Sequence, residues 1–323
     1  MTQTAPLIDI PAAPIPAGGA GEWYVGEGGA RLRAALFPAR GALRGSVVLS
    51  GGRTEPIEKY YEVIEDLTLR GYVVLAHDWR GQGLSHRDLE DDRLKGHAVG
   101  FELFLADFDA LLAHFETRLP APWIAIGHSM GGCLTLLALA KGQARRFVGA
   151  VLSAPMLGVR VGRYPKAVKL LAAWNRLTGR SGAYVMGDPG KPFDDTFEDN
   201  VLTHDRVRFS RARAQVAAHR DLALGAPTWG WLDFALRAGD FFARPSNLAS
   251  VTIPVIICQA EQEKLVDNAA QDQVARSLPD GRLVVVKGAL HEILMETDDK
   301  RAVFFAEFDA LAGTVASGSS PSA

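Results

Sequence analysis

Cysteine is nearly absent from this chain: two in 323 residues, Cys133 and Cys258, each inside an apolar run. Two such thiols give no disulfide framework, so a packed core must hold the fold and a reducing compartment suits it. Both are read as inert core thiols. Net charge is lacking too. With 35 basic and 37 acidic residues the balance is -2, which removes any general electrostatic case for nucleic acid and confines a basic surface to a local patch. No apolar run approaches the roughly 20 residues that cross a bilayer. The N-terminal residues lack the basic segment and apolar stretch of a secretory signal. A soluble, cytoplasmic protein is expected. The eight histidines show no paired zinc spacing and there is no G-x-x-x-x-G-K phosphate cradle, so neither metal nor organic cofactor is expected.

Apolar residues, at 48%, are plentiful, and the length suits one large α/β domain with an insertion, or two domains. Residues 1–21, rich in Ala, Pro and Gly, read as a flexible lead-in. Two edge strands, 23–25 and 32–37, precede a regular alternation. Strands at 46–49, 72–76, 123–126 and 148–153 enclose helices at 58–70, 101–118 and 132–141. The alternation stops after Ala154-Pro155 and resumes with strand 255–258, helix 269–278, strand 282–286 and a helix from about 299 to 311. Short, continuously apolar strands are those covered on both faces, so the pattern predicts a mostly parallel, doubly wound sheet. The core is assigned to 22–154 and 248–315, and a helical cap or lid, inserted after the sixth strand, to 155–247. The Ser/Gly-rich tail 316–323 reads as disordered. The cap is rich in aromatics, among them Trp174, Trp229, Trp231, Phe209, Phe241 and Phe242, most of them read as the cap's own small core. An insertion so late in a parallel sheet lies over the carboxyl ends of the strands, where ligands bind.

The chemistry centres on Gly127-His128-Ser129-Met130-Gly131, a G-x-S-x-G pattern between a predicted strand and a predicted helix. The turn has to be tight enough to force Ser129 into a strained conformation with its hydroxyl exposed, and the glycines clear the space. A serine hydroxyl needs a base within reach and a third group to orient that base. Of the histidines after Ser129, only His291 falls in a loop directly after a late strand; His204 and His219 lie in the cap. The orienting carboxylate should leave the loop after strand 255–258, where Glu261, Glu263 and Asp267 are candidates. Asp267 is preferred, with Glu263 in reserve, although an acidic residue there also suits a helix N-cap. The oxyanion needs backbone N–H donors. Met130 supplies one, and the loop Ser50-Gly51-Gly52-Arg53 the other, from Gly52 or Arg53.

These residues together resemble the α/β-hydrolases, and more narrowly the bacterial lysophospholipase and monoacylglycerol lipase branch. The resemblance rests on Gly52-Arg53-Thr54-Glu55 with Lys59-Tyr60, Asp78 to Ser85, Gly96-His97, Gly127 to Gly132, Leu265-Val266-Asp267-Asn268 and Lys287 to Glu292. Within the cap, Leu202 to Asp205 and Gly225 to Thr228 add to it. It implies Ser129 as nucleophile, Asp267 as acid and His291 as base. Two departures stand out: many relatives carry His-Gly where this chain has Ser50-Gly51, and often an Asp-Arg pair near Gln262-Glu263-Lys264.

The expected activity is hydrolysis of carboxylic esters of single-chain lipids through an acyl-enzyme. A proline-releasing aminopeptidase is the alternative, for which Asp188, Asp194, Asp195, Glu198 and Asp199 offer acidic groups; a non-catalytic binding module is a third. In the cap, basic Arg160, Arg163, Lys166, Lys169 and Arg176 alternate with apolar Val161, Tyr164, Val168, Leu171 and Trp174. Such a stretch suits peripheral contact with an anionic inner membrane face, and equally a solvated face on a packed helix.

Overall fold

The runs at 45–50, 123–128 and 255–260 are buried along their whole length, as strands covered on both faces must be. The structure, a computed structural model, describes residues 3–142, 146–190, 192–193 and 196–318. Among them the sheet has nine strands: β1 (Gln3–Thr4), β2 (Ala20–Val25), β3 (Arg31–Phe37), β4 (Gly45–Ser50), β5 (Tyr72–His77), β6 (Trp123–His128), β7 (Phe147–Ser153), β8 (Val255–Ala260) and β9 (Gly281–Val286). Their order is β1-β2-β3-β5-β4-β6-β7-β8-β9. Pairing is antiparallel from β1 to β5 and parallel from β5 to β9. The mostly parallel, doubly wound sheet read from the sequence is present. Because β5 and β6 flank β4 on opposite sides, the strand order reverses there, and the loops after β4 and β6 meet at a crevice.

The helices are α1 (Tyr61–Leu69), α2 (Phe101–Phe115), α3 (Met130–Ala140), α4 (Pro165–Leu177), α5 (Arg206–Ala218), α6 (Trp229–Phe242), α7 (Asn268–Ser277) and α8 (Asp298–Gly318). Alternation along β6 divides the core: Trp123 and Ala125 join a cluster with α2, α3 and α7, whereas Ile124 and Ile126 join one with α1 and α8. Burying each large apolar side chain there contributes about 1.5–3 kcal/mol.

Three expectations are corrected. The lead-in does not hang free: β1 pairs with β2, Ala5 N donates to Gly21 O at 2.9 Å, and Arg33 donates to Pro6 O at 3.0 Å. Arg33 is fully buried and also holds Glu58 (2.7 Å) and Asp78 (2.7 Å), so backbone and buried charge fix a segment with few large side chains. With β1 counted, the insertion follows the seventh strand. Most of its aromatics do not form a separate core either: Phe234 and Phe242 of α6 lie in the main cluster with Phe104, while Trp174 is 61% exposed. The expected tail lies partly in α8 and otherwise outside the described residues. No helix among the described residues is long and apolar enough to cross a membrane.

Candidate active site

Ser129 sits between β6 and α3 with φ 50° and ψ -116°, a left-handed conformation that an ordinary residue adopts only under strain. The neighbouring glycines are required by space. A Cβ on Gly127 would lie 2.7 Å from Gly132 Cα, and one on Gly131 would lie 2.2 Å from Ser50 O. His128, at the second position of the motif, points into the protein. Its Nδ1 faces Ser153 O at 3.0 Å, and burial, only partly offset by the Glu55 carboxylate, pulls its pKa down to about 4. It is neutral at pH 7.

The loop after β9 turns at Gly288 (φ +67°) and brings His291 back over Ser129, with Nε2 2.9 Å from Oγ. The serine hydroxyl can donate to that nitrogen. On the far side of the ring, Nδ1 lies 2.6 Å from Glu263 Oε2. Glu263 is buried, and its other oxygen, Oε1, accepts from three successive backbone N–H groups, those of Lys264 (2.9 Å), Leu265 (2.7 Å) and Val266 (3.2 Å). Burial works to raise its pKa, but the bonds from His291 and from the loop outweigh it, and the pKa is lowered.

The preference for Asp267 as the third member is therefore corrected. Asp267 caps α7, its Oδ1 accepting from Ala269 N at 3.0 Å, and Glu263 occupies the place beside the imidazole. Four residues nearer to β8, Glu263 reaches the ring by its longer side chain. Glu261 lies at the surface, paired with Lys287 at 2.7 Å. His204 pairs with Glu296 at 2.7 Å, and His219 ends α5.

The loop after β4 is pressed against the elbow: a Cβ on Gly52 would stand 3.1 Å from Ser129 Cβ. Of the two expected oxyanion donors in this loop, Gly52 is excluded because its N–H is bonded to the Glu55 carboxylate. Arg53 N–H remains. At the first position of α3, Met130 N–H has no intrahelical partner. Among the described residues neither N–H is engaged elsewhere. Glu55 is buried and also accepts from Lys59 (2.8 Å) and Tyr60 (2.5 Å), and Lys59 reaches Glu292 at 2.5 Å. Burial opposes the charge on Glu55, but the Lys59 ammonium, with the hydrogen bond from Tyr60, outweighs it and its pKa is lowered. The sequence showed Glu55, Lys59 and Tyr60 only as parts of motif blocks, with no role attached.

Comparison with known proteins bears on this geometry. The family described as "Serine aminopeptidase, S33" matches residues 41–298. "Lysophospholipase L2" of Escherichia coli K12 is 33% identical over 273 residues, covering 80% of this chain and 77% of its own length. The chain belongs to this serine hydrolase family. "Monoacylglycerol lipase" of Mycolicibacterium smegmatis is 26% identical over 282 residues, covering 86% of this chain and 91% of its own. The crystal structure of a soluble variant of monoglyceride lipase from Saccharomyces cerevisiae superposes with TM-score 0.71 at 18% identity, covering 98% of this chain and 97% of that one, and shares the α/β-hydrolase fold. The family and fold expected from the motif blocks both hold.

In this family member the elbow opens into a cavity of about 500 Å³. Its walls come from the core loops (Arg53, Ser129, His291) and from the insertion (Val159, Leu224, Trp231). Motif blocks far apart in sequence meet here. His97 Nδ1 lies 2.9 Å from Thr228 Oγ1, which caps α6, and Gly96 bridges Pro227.

Proposed function

We propose that this serine ester hydrolase cleaves carboxylic esters of single-chain lipids, lysophospholipid or monoacylglycerol, through Ser129, His291 and Glu263. The observation that carries it is the unbroken relay from Ser129 Oγ to His291 Nε2 (2.9 Å) and from His291 Nδ1 to Glu263 (2.6 Å), opening on a cavity of about 500 Å³. Ser129 Oγ attacks the ester carbonyl as Nε2 takes its proton. Glu263 holds the ring in position and stabilises the imidazolium that forms. The oxyanion is bound by Met130 N–H and Arg53 N–H. His291 returns its proton to the leaving alcohol. Water, deprotonated by the same nitrogen, then releases the fatty acid from Ser129. The named relatives, one a lysophospholipase and one a monoacylglycerol lipase, support the lipid class.

An aminopeptidase is less well supported. A substrate amine calls for a free carboxylate in the wall, yet Glu55 and Glu292 both hold Lys59. Asp188 caps Gly190 N at 2.8 Å, Glu198 pairs with Arg206 at 2.7 Å and Asp199 accepts from Thr196 at 3.0 Å; Asp194 and Asp195 lie outside the described residues. The deciding experiment is a panel of lysophospholipids, monoacylglycerols, p-nitrophenyl esters and a prolyl anilide. Wild type should turn over the lipids, and Ser129→Ala should lose about 10⁴-fold or more in kcat. Cleavage of the anilide alone would reverse the assignment.

The insertion, residues 155–247, acts as a cap, and its α4 as a peripheral membrane contact. Leu170, Trp174 and Leu177, at i, i+4 and i+7, are 74%, 61% and 73% exposed, with Lys166 one turn before Leu170. Sedimentation with liposomes of rising anionic lipid content tests this; binding indifferent to anionic lipid would remove it.

A further inference from the structure

Arg53 carries a positive charge into the cavity wall and is given no anion there. Its Nη2 donates to Gly225 O, its guanidinium stands 5.4 Å from the Trp231 ring centre, and its Nε is buried without a hydrogen-bond partner. Among the described residues no carboxylate pairs with it. Burial pulls its pKa down to about 10, so it stays charged at neutral pH. The buried arginines of the core are treated differently: Arg33 holds Glu58 and Asp78, and Arg80 holds Asp107 at 2.7 Å. Arg87 also lacks a carboxylate, and its Nε and Nη1 are buried without a hydrogen-bond partner, but it does not line the cavity at Ser129. Burying a guanidinium without a counter-charge is unfavourable, and an occupant that supplies that charge offsets the cost. Arg160, exposed at the cavity rim, likewise has no acidic partner among the described residues.

We propose that Arg53, assisted by Arg160, forms an anion subsite for the phosphodiester of a single-chain glycerophospholipid, and so selects lysophospholipid over uncharged monoacylglycerol. The proposal rests on the reading of the cavity as a lipid-ester site. The spans agree. In a 1-acyl glycerophospholipid, phosphorus is six bonds from the ester carbonyl carbon, roughly 7 Å when extended, and an arginine Cζ is five bonds, roughly 6 Å, from its own Cα. An arginine whose backbone N–H meets the oxyanion can therefore reach, with its guanidinium, a phosphate about one head-group length away. A planar guanidinium binds phosphate oxygens in pairs, as a hydroxyl or a lysine would not.

The test compares kcat/KM for a lysophospholipid and a monoacylglycerol of the same acyl chain in wild type, Arg53→Gln and Arg53→Lys. Arg53→Gln should lower the ratio of the lysophospholipid value to the monoacylglycerol value about tenfold, mainly through KM for the lysophospholipid and whatever the loss common to both lipids, with Arg53→Lys between. Any disturbance of the oxyanion loop affects both lipids and cancels in the ratio. Calorimetry with sn-glycerol 3-phosphate, inorganic phosphate and glycerol reads the subsite without turnover. Wild type should bind the glycerol phosphate more tightly than free phosphate, and Arg53→Gln should lose that binding. If Arg53→Gln does not fold, Arg160→Gln should still shift the ratio by about threefold, alongside wild-type calorimetry. An unchanged ratio, or equal response to phosphate and glycerol phosphate, overturns the subsite even where esters are cleaved. Failure to cleave any ester, with calorimetry as expected, would instead remove the hydrolase reading and leave the subsite standing.

Discussion

The loops at the carboxyl edge of the sheet and the insertion above them are held by different means. At the edge, backbone does the holding: glycines at 127 and 131 admit no side chain, and three consecutive N–H groups fix Glu263. The insertion is tied down unevenly, by backbone along the loop before α6, where Gly225 N donates to Leu94 O at 2.7 Å and Thr228 N to Gly96 O at 3.0 Å, and by side chains elsewhere. Its α5 is clamped to the core by Arg208, which reaches Glu62 and Asp298 at 2.6 Å each, and by Arg211, which reaches Glu62 at 2.6 Å. By contrast, the α4 ion pairs run to Asp240 and Asp233 of α6, within the insertion itself, and leave a row of large apolar side chains in solvent. Reactive groups need fixed positions to a fraction of an ångström, which backbone supplies. The membrane contact proposed for α4 needs exposed apolar area, and the outer face of that helix has it.

The largest expected effect tests the rigid side. Glu263→Gln leaves the ring of His291 without its carboxylate and should lower kcat/KM by about 10³–10⁴-fold. Asp267→Ala should stay within about twofold of wild type in activity and lose about 1 kcal/mol of stability with its cap. Steady-state kinetics on a soluble p-nitrophenyl ester, with urea unfolding of both variants, checks the pair. Equal losses of activity would mean that the two carboxylates share the role.

That pair also marks how far the sequence could be read. The elbow was legible because the chemistry itself demands small residues around Ser129, and His291 because it alone follows a late strand directly. The acid was not, since three carboxylates lie within seven residues of one loop, and only the curl that turns the N–H groups of 264–266 onto Glu263 separates them. Gly52 and Arg53 were equivalent until Glu55 was seen to engage the former. The parallel sheet showed as repeating apolar runs. Strand β1 did not, because what holds it is Arg33 and backbone pairing. The aromatics of α6 looked like a private core for the insertion, and periodicity cannot say which of two neighbouring layers a helix face joins.

The loosely tied side is tested by replacing Leu170, Trp174 and Leu177 with serine together. Partition onto anionic liposomes should fall about tenfold, because the apolar area these side chains bring to the interface is lost. Turnover of a soluble ester should change by about twofold or less. A fall in ester turnover as large as the fall in partition would show that α4 shapes the catalytic edge, and the contrast between the two regions would fail.

The smallest effect concerns the clamp on α5. Burial works to raise the pKa of Glu62, but Arg208, Arg301 and Arg211 outweigh it and lower it to about 2. A carboxylate whose folded pKa is depressed stabilises the fold fully above its unfolded value, about 4.5, and that contribution is lost as pH falls toward the folded value. The stability advantage of wild type over Glu62→Gln should thus be constant from neutral pH to about 5 and shrink between about 4.5 and 2. Because the side chain is partly solvated, the change should be on the order of 1 kcal/mol. Urea unfolding across that range measures it, and high salt should reduce it, since these pairs are reached by solvent. An advantage that did not change with pH would mean that α5 is held by its apolar contacts, as with Phe209, and that charge adds little at this seam.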